Sequence, residues 1–293
     1  MPFRIGITLG DPAGIGPEIV RAALESGKLA NDIDYKVIGQ VGTTVAGSPS
    51  ADSARVAFAA MEEAASLANS DEIDAIVTGP IHKARMYEIG FRFPGQTEFF
   101  ADRTNTKNFA MLLTGGSITV ALVTTHVPLR RVGELLSKDE IVRVGLLLAG
   151  FLRRRHERAP RIAVAGLNPH AGESGSLGVE ELTVIAPAVR ELQLAIGNQP
   201  SATFEGPISP DTLFFHLANG EWDAALCMYH DQGLIPLKLH AFHSGVNVTL
   251  GLPFPRTSPD HGTAFDIAGK GIARPDSMIA AIKLAGELAQ KKT

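Results

Sequence analysis

The sequence has few of the residues that mark specialised protein classes. Cys227 is the single cysteine among 293 residues, so the chain can form neither an internal disulfide nor a cysteine-rich zinc site. We expect Cys227 to be a buried thiol, because free cysteine packs like a small apolar side chain. The apolar run 144–152 is about half as long as the ~20 residues that span a bilayer, and it precedes three arginines. It predicts a buried helix.

Charge is also sparse and nearly balanced. The formal net charge is -4 at pH 7, and the densest basic run, residues 153–156, is short and isolated. A chain without a basic surplus is poorly suited to neutralise a phosphate backbone, so we expect no nucleic-acid partner. The first residues contain no charged leader and no apolar signal core, which predicts a cytoplasmic protein with no membrane contact.

Apolar residues, in contrast, make up 45% of the chain, enough for a substantial core. Short apolar runs alternate with longer segments of helical periodicity. The predicted strands lie near residues 4–9, 34–39, 73–78, 109–114, 118–124, 161–167, 223–229 and 246–250. The predicted helices are 18–26, 53–69, 138–155, 179–194, 210–218 and 275–291. This alternation predicts an α/β architecture.

Three of the histidines share one position in this pattern. His126, His170 and His230 each follow an apolar, strand-like run. The carboxyl ends of strands line the ligand crevice of open α/β sheets, so separate strands can bring such residues together. Three imidazoles with an open fourth position are typical of a catalytic metal site. The alternative is three hydrogen-bonded loop residues, and the pattern alone leaves their convergence open.

The neighbours of these histidines favour the metal hypothesis. Asp231 follows His230 and Glu173 follows His170 at a short distance, so carboxylates that orient ligand rings are at hand. Nitrogen ligands suit zinc, cobalt, nickel or manganese better than calcium, and magnesium also fits if substrate oxygens complete the shell.

Glycine-rich loops follow several of the predicted strands. Residues 10–18 (GDPAGIGPE) precede a helix start, where backbone N–H groups can hold an anion. They lack the third glycine of the Rossmann fingerprint, so a plain strand-to-helix turn fits equally well. Residues 78–83 (TGPIHK) add Lys83 as a candidate functional lysine. Residues 260–273 combine a glycine-framed loop, a carboxylate suited to ribose hydroxyls and a helix start.

These motifs together resemble the 4-hydroxythreonine-4-phosphate dehydrogenase family of pyridoxal phosphate biosynthesis. The resemblance covers nearly the whole chain. Its carriers are residues 10–18 (GDPAGIGPE), 78–83 (TGPIHK), 97–100 (TEFF), 124–129 (TTHVPL), 167–173 (LNPHAGE), 210–214 (PDTLF), 228–233 (MYHDQG) and 245–254 (GVNVTLGLPF). It implies an isocitrate/isopropylmalate dehydrogenase-like fold of two α/β domains with a cleft between them. We place the first domain at 1–95 plus 247–293 and the second, with the dimer contacts, at 96–246.

The resemblance also implies a homodimer with shared active sites. The metal ligands would be His126, His170 and His230, with His126 supplied by the opposite subunit and the other two by one chain. The site would then exist only in the dimer. One divalent ion per site is expected, as zinc, cobalt, manganese or magnesium.

Substrate and cofactor contacts follow from the same resemblance. Substrate contacts fall on Thr97, Lys238, Asn247 and Arg256, a set suited to a small phosphorylated anion. Gln96 stands where the family usually has histidine; it can donate a hydrogen bond but cannot become a cation, which puts substrate identity in question. Residues 260–273 resemble the adenosine-binding loop of decarboxylating dehydrogenases. The predicted contacts to NAD or NADP are His261, Gly262, Thr263 and Asp266.

The implied reaction is the oxidation of the C3 hydroxyl of 4-phosphooxy-L-threonine by NAD. The product, 2-amino-3-oxo-4-phosphooxybutanoate, loses carbon dioxide to give 3-amino-2-oxopropyl phosphate. Lys83, Asp231 and Lys238 are the catalytic candidates. Lys238 would position the substrate, and the general base stays open among Asp231, Lys83 and a metal-bound hydroxide.

Three other functions remain open. A paralogous dehydrogenase could oxidise another hydroxy acid, such as a phosphorylated sugar acid or a dihydrodiol carboxylate. An acyltransferase of the phosphotransacetylase kind shares the wider fold, but the three histidines and residues 260–273 argue against it. A non-catalytic metal-binding homologue would not need the substrate set of Lys238, Asn247 and Arg256.

Overall fold

The computed structural model describes residues 2–156, 158–195 and 202–291. The strands are β1 Phe3–Thr8, β2 Ile33–Ile38, β3 Ala75–Thr78, β4 Ala110–Gly115, β5 Ile118–Leu122, β6 Arg161–Ala165, β7 Thr203–Ile208, β8 Ala224–Cys227, β9 Val246–Leu250 and β10 Arg256–Pro259. The helices are α1 Gly16–Glu25, α2 Ala51–Asn69, α3 Lys83–Glu88, α4 Gln96–Arg103, α5 Val132–Leu135, α6 Lys138–Arg155, α7 Ala186–Ala195, α8 Pro210–Ala218, α9 His230–Ala241 and α10 Asp276–Gln290. The predicted α/β class is confirmed. None of the helices in the described ranges is long and apolar enough to cross a membrane.

The chain divides into two compact units, Met1–Lys107 with His243–Thr293, and Asn108–Phe242. The sequence placed these boundaries at 95/96 and 246/247. Helix α4 therefore belongs to the first unit, on the other side of the boundary from where we predicted it. The reason is packing, because Phe99 and Phe100 of α4 are fully buried in the core that also holds Met61 and Ile76.

The first unit is built on strands in the order β2-β1-β3-β10-β9. β1 is parallel to β2 and β3, β3 is parallel to β10, and β10 is antiparallel to β9. Helix α2 begins with a capping box in which Ser50 and Ser53 exchange hydrogen bonds, which satisfies N–H groups that a helix start leaves open. Helix α10 buries its apolar face, as the periodicity predicts.

The second unit has its strands in the order β4-β5-β8-β6-β7. β4 and β5 form an antiparallel pair, and β5, β8, β6 and β7 run parallel. Cys227 ends β8 within the core and is fully buried, as predicted, and burial raises the pKa of its thiol well above the ordinary value. Parallel strands bring their carboxyl ends to one edge, which is where the residues after β5, β6 and β8 begin.

Seven elements differ from the sequence-based expectation. The sequence did not predict helices α3, α4 and α5, which are only 6, 8 and 4 residues long. β7 and β10 were missed because β7 contains glycine and proline and lies at the edge of its strand order, while β10 is the short polar segment RTSP. Helix α9 was missed because Gly233 and Pro236 lie inside it. The predicted helix 179–194 begins as a π-helical turn, Glu181–Ile185, which passes into α7.

Candidate active site

Two of the three predicted metal ligands meet in the second unit. His126 lies in the segment after β5, and His230 is the first residue of α9, directly beyond β8. β5 and β8 are parallel neighbours, and the side-chain hydroxyl and N–H of Thr124 both bond the carbonyl of Met228. The two rings therefore lie close, with centroids 5.5 Å apart and planes inclined by 44°.

Asp231 controls the orientation of one ring. Nδ1 of His230 lies 2.7 Å from Oδ1 of Asp231, and an ionised carboxylate only accepts hydrogen bonds. In the neutral ring, Nδ1 therefore carries the proton and Nε2 presents its lone pair, the tautomer in which second-sphere carboxylates hold metal-binding histidines. His126, His230 and Asp231 open onto a cavity of about 220 Å³ that is also lined by Thr125 and Tyr229.

His170 does not join this pair. Within the described residues, no group of three or more His, Cys, Asp or Glu side chains is arranged to hold a metal ion. The His170 side chain is 63% exposed, and its Nδ1 lies 4.0 Å from Oδ2 of Asp211. The family resemblance implied that His170 and His230 belong to one subunit and His126 to the other. Within one chain the structure brings His126 and His230 together after the neighbouring strands β5 and β8. Strand β6 is also a neighbour of β8, but the left-handed turn after β6 leaves the His170 side chain exposed.

The segment after β6 has an unusual backbone. From His170 to Ser174, five consecutive residues have left-handed conformations, with φ between 43° and 79°. Only Gly172 among them is a glycine, and a left-handed conformation costs other residues about 1–2 kcal/mol each. The surrounding structure must therefore impose this turn. Glu173, predicted to orient a ligand ring, lies within it and is exposed.

A buried carboxylate that the sequence analysis missed lies under this turn. Glu181 is 1% exposed and accepts hydrogen bonds from the N–H groups of Leu167 and Asn168 and from the Asn168 side chain. Burial alone would raise its pKa, but these hydrogen bonds hold the pKa below the ordinary value. No sequence signal marked it, since Glu181 falls in an amphipathic helical pattern.

Arg256 is the centre of a polar cluster in the first unit. It is 2% exposed and donates to the hydroxyls of Thr249, over 3.2 Å, and Thr78. Thr249 shares a further hydrogen bond of 3.3 Å with Thr97. Burial lowers the pKa of Arg256 to about 10, against a smaller opposing effect of Glu98. The structure thus brings two of the predicted substrate residues, Thr97 and Arg256, into one cluster.

Thr78 and Thr249 belong to this cluster but were not among the predicted site residues. Both lie in motifs that the sequence analysis quoted, Thr78 at the end of β3 and Thr249 in β9. The strand register explains their role: Arg256 of β10 lies opposite Thr249. The signal that could have found them is a threonine in each strand flanking a buried arginine.

Several polar atoms of the first unit are buried without a hydrogen-bond partner among the described residues, including Asp11 Oδ2, Glu18 Oε1 and His82 Nδ1. Three others bear on the substrate prediction: Nε of Arg256, Oδ1 of Asn247 and Oε1 of Gln96. The side-chain amide of Gln96 donates to the Gly79 carbonyl over 3.0 Å, so its oxygen is the atom that remains. Buried polar groups are normally paired. All three atoms belong to residues predicted to contact the substrate.

The two lysines of the prediction lie in different units. Lys83 begins α3 in the first unit and is exposed, while Lys238 lies in α9 of the second unit, half-buried, with its amine 5.8 Å from the centre of the Phe242 ring. The structure does not bring Lys83 and Lys238 together within one unit.

The predicted cofactor loop packs on the glycine-rich turn before α1. The Thr263 carbonyl accepts from the Ile15 N–H over 2.9 Å, and a Cβ at Gly14 would lie 2.7 Å from that same carbonyl oxygen. Gly14 is therefore needed for close approach of the two loops. Gly262 and Asp266 are exposed, whereas His261 is half-buried.

The helix start predicted within residues 260–273 is wrong. This segment forms successive turns and the helix begins only at Asp276. Ala264, Gly269 and Gly271 have φ values of 42°, 76° and 68°, which are incompatible with a right-handed helix.

Comparison with known proteins identifies relatives along the whole chain. The family model of the pyridoxal phosphate biosynthetic protein PdxA matches residues 18–285. The 4-hydroxythreonine-4-phosphate dehydrogenase of Caulobacter vibrioides is 42% identical, with 98% of each chain covered. The D-threonate 4-phosphate dehydrogenase of Pectobacterium atrosepticum is 37% identical, with 97% of this chain and 99% of the relative covered.

Solved structures agree with these matches. The crystal structure of 4-hydroxythreonine-4-phosphate dehydrogenase from Klebsiella pneumoniae superposes with a TM-score of 0.82 at 36% identity and covers 99% of this chain and 100% of its own. Isocitrate dehydrogenase from Methylococcus capsulatus, at 16% identity and a TM-score of 0.53, covers 97% of this chain and 84% of its own, and shares the fold. The predicted isocitrate dehydrogenase-like fold is confirmed, and the chain is an oxidoreductase that belongs to the PdxA family of pyridoxal phosphate biosynthetic proteins.

Proposed function

We propose that this protein oxidises 4-phosphooxy-L-threonine at its C3 hydroxyl with NAD or NADP and a divalent metal ion. Loss of carbon dioxide from the resulting 2-amino-3-oxo-4-phosphooxybutanoate then gives 3-amino-2-oxopropyl phosphate. The relatives named 4-hydroxythreonine-4-phosphate dehydrogenase support the reaction class. The single observation that carries the proposal is the His126–His230 pair, with Asp231 orienting one ring at an open cavity.

His126 and His230 provide two of the ligands that a divalent transition metal ion needs. Two imidazoles lie side by side, and the Nε2 lone pair of His230 is available because Asp231 engages Nδ1. Zinc, cobalt and manganese accept such nitrogen ligands. A catalytic site commonly has three protein ligands, so one more is needed, and we assign it to His170 of the partner subunit.

A homodimer follows from this assignment. His170 projects from its own chain, with a side chain 63% exposed, as a residue that serves a neighbouring subunit would. Apolar side chains on α8 and α9 are also exposed: Phe215 by 68%, Ile235 by 66% and Leu239 by 89%. Ile235 and Leu239 are four residues apart on α9 and therefore share one face of the helix, and exposed apolar faces mark interaction sites. This surface fits a second copy of the chain.

The polar cluster of the first unit suits the anionic ends of the substrate. Arg256 is buried, its pKa is lowered, and its Nε has no hydrogen-bond partner among the described residues. A phosphate or carboxylate would satisfy that donor and restore the balance of charge, because guanidinium binds such anions through paired N–H groups. Thr97 and Asn247 would add hydrogen bonds, and Lys238 a further positive charge.

The metal ion and cofactor have one set of roles in the reaction, and the side chains of the protein have another. When bound, the divalent metal supplies Lewis acidity that favours both loss of the hydroxyl proton and decarboxylation. A bound nicotinamide cofactor would supply the acceptor for the hydride from C3. Asp231 already accepts from His230, so we give it the orienting role, and Lys83 stays a candidate for the proton acceptor. Residues 261–266 would hold the adenosine end of the cofactor, through His261, Gly262, Thr263 and Asp266.

The experiment that tests the proposal measures reduced cofactor at 340 nm with purified protein, 4-phosphooxy-L-threonine and NAD. We expect turnover that disappears after chelation and returns with Zn²⁺ or Co²⁺. Leu239→Asp is expected to produce monomers in analytical ultracentrifugation and to abolish turnover, because each monomer lacks a metal ligand. Undiminished turnover by metal-free protein, or by a stable monomer, would contradict the proposal.

A second candidate substrate is D-threonate 4-phosphate. Gln96, whose buried Oε1 has no partner among the described residues, is compatible with the 2-hydroxyl of this acid as well as with the 2-ammonium of 4-phosphooxy-L-threonine. That oxygen can only accept hydrogen bonds, so it suits a hydroxyl or ammonium group and not a phosphate oxygen. The Pectobacterium relative is named for this substrate. Comparing kcat/KM for the two phosphorylated acids decides between them.

A further inference from the structure

We infer that Glu181 is a positioning residue for His170: its buried carboxylate holds the chain at the entrance to the left-handed turn from which the imidazole projects. The inference rests on the proposed function, in which His170 is a metal ligand.

The carboxylate is tied directly to the backbone that precedes His170. Oε1 of Glu181 accepts the N–H groups of Leu167 and Asn168, each over 2.7 Å. Oε2 accepts the side-chain amide of Asn168 over 3.0 Å. Next along the chain is Pro169, which has no N–H and a restricted φ. Fixing Leu167 and Asn168 therefore fixes the point and direction from which the chain reaches His170.

Close packing against the carboxylate shapes the rest of the turn. A Cβ at Gly172 would lie 2.6 Å from Oε2 of Glu181, and a Cβ at Gly166 would lie 3.3 Å from Oε1. Gly166 also approaches Ala171, with 3.1 Å between its added Cβ and that of Ala171. The turn thus passes directly over the carboxylate with no space between them. A residue at 181 of different size or charge would displace it.

The turn has few bonds of its own that could replace this support. The Ala171 N–H bonds the Asn168 carbonyl over 3.1 Å, and the Leu177 N–H bonds the Gly172 carbonyl over 3.1 Å. These bonds close the turn without setting its position on the protein. A run of left-handed residues is intrinsically unfavourable, so it persists only where the surroundings determine it. Three hydrogen bonds to Glu181 fix the backbone and the Asn168 side chain at the start of the turn.

The neighbouring Glu180 provides a matched control. Its Oε2 accepts the same Asn168 side-chain amide over 2.8 Å, and the two carboxylates differ by one position in the chain. Glu180 is half-buried, and its bond is to the side chain and not to the backbone entering the turn. Removing its charge therefore tests the effect of a lost carboxylate without loss of the backbone contacts.

The experiment titrates the purified metal-free protein with Co²⁺ and follows the visible absorption of the bound ion. Glu181→Ala is expected to weaken Co²⁺ binding by about 10–100-fold, the usual effect of losing a group that orients a ligand. Glu181→Gln keeps an oxygen for the backbone N–H groups and is expected to lose about 3–10-fold. Glu180→Gln is expected to stay within about twofold of the parent protein.

Two further measurements separate positioning from general damage. In a His170→Ala background, Glu181→Ala is expected to change Co²⁺ affinity by no more than about twofold, because the ligand it positions is absent. Hydrogen exchange of the metal-free Glu181→Ala protein is expected to show lost protection at Leu167 and Asn168. If Glu181→Ala does not fold, both measurements are made with Glu181→Gln.

Failure of the inference and failure of the proposed function give different results. Parent-like Co²⁺ affinity in the Glu181 variants, with impaired affinity in His170→Ala, overturns the inference alone. An equal loss from Glu181→Ala in the parent and His170→Ala backgrounds also overturns it, as general damage. Parent-like affinity in His170→Ala overturns the metal role of His170 in the proposed function, and the inference with it.

Discussion

Replacing Arg256 with methionine tests the anion-binding role of the buried guanidinium. Burial lowers the pKa of Arg256 from its ordinary value to about 10, which corresponds to about 3 kcal/mol against the charged form in the folded protein. Arg256→Met removes that cost. It also removes two hydrogen bonds to threonine, worth about 1 kcal/mol each, and the contact 5.7 Å from the Phe100 ring centre, worth about 0.5–1 kcal/mol. The expected net change in unfolding free energy without ligand is close to zero.

The effect of pH follows from the direction of the shift. The folded-state pKa lies below the unfolded value, so the charged arginine disfavours the folded state at every pH below about 10. That cost is constant between pH 7 and 9 and is relieved only as pH rises through about 10 towards the ordinary pKa of arginine. The stability difference between the parent protein and Arg256→Met is therefore expected to be flat from pH 7 to 9.

Urea unfolding with and without 4-phosphooxy-L-threonine measures both effects. The substrate is expected to stabilise the parent protein, since it binds only the folded state, and to stabilise Arg256→Met far less. The loss of one charge-assisted contact, about 1.5–3 kcal/mol, predicts a fall in kcat/KM of about 10–150-fold. Arg55→Met, which removes an exposed arginine, is the control. A ligand-free destabilisation well above 3 kcal/mol, combined with an unchanged substrate response, would refute the reasoning.

Three further variants test single positions. Asp231→Asn is expected to weaken Zn²⁺ binding by about 10–100-fold in calorimetry, because the amide no longer holds His230 Nδ1–H as firmly; parent-like affinity would remove Asp231 from the orienting role. Gly150→Ala, with nothing within 4 Å of the added Cβ in α6, is expected to raise the unfolding free energy by about 0.5–1 kcal/mol. Gly172→Ala, at φ 79° and 2.6 Å from a Glu181 oxygen, is expected to lower it by at least about 1–2 kcal/mol; equal effects in urea unfolding would contradict the left-handed turn.

The fold class could be predicted from the sequence because apolar periodicity depends on local residue order. Strands such as β9, and helices α6, α8 and α10, appear in the structure within a residue or two of the predicted bounds. Periodicity failed where the tertiary context overrode it. The polar segment β10 is a strand because it is buried between β3 and β9, and α9 persists despite Gly233 and Pro236.

The candidate site could be predicted only in part, because tertiary contacts decide which residues meet. Strand ends identified His126, His170 and His230, since that position is visible in the chain order. Which of them meet depends on the strand order and on the segments that follow the strands. Strand β8 lies between β5 and β6, and the left-handed turn after β6 leaves His170 exposed. The resemblance in sequence therefore implied His126 as the ligand from the opposite subunit, whereas our proposal gives that role to His170.

The sequence by itself determined the residue types of this protein: three histidines at strand ends, a phosphate-compatible arginine and a chain with one cysteine and little net charge. These follow from composition and order. The tertiary structure alone decided that Arg256 is buried among threonines of adjacent strands, and that Glu181 lies beneath the left-handed turn carrying His170. Both depend on contacts between residues distant in the chain, which no local pattern encodes.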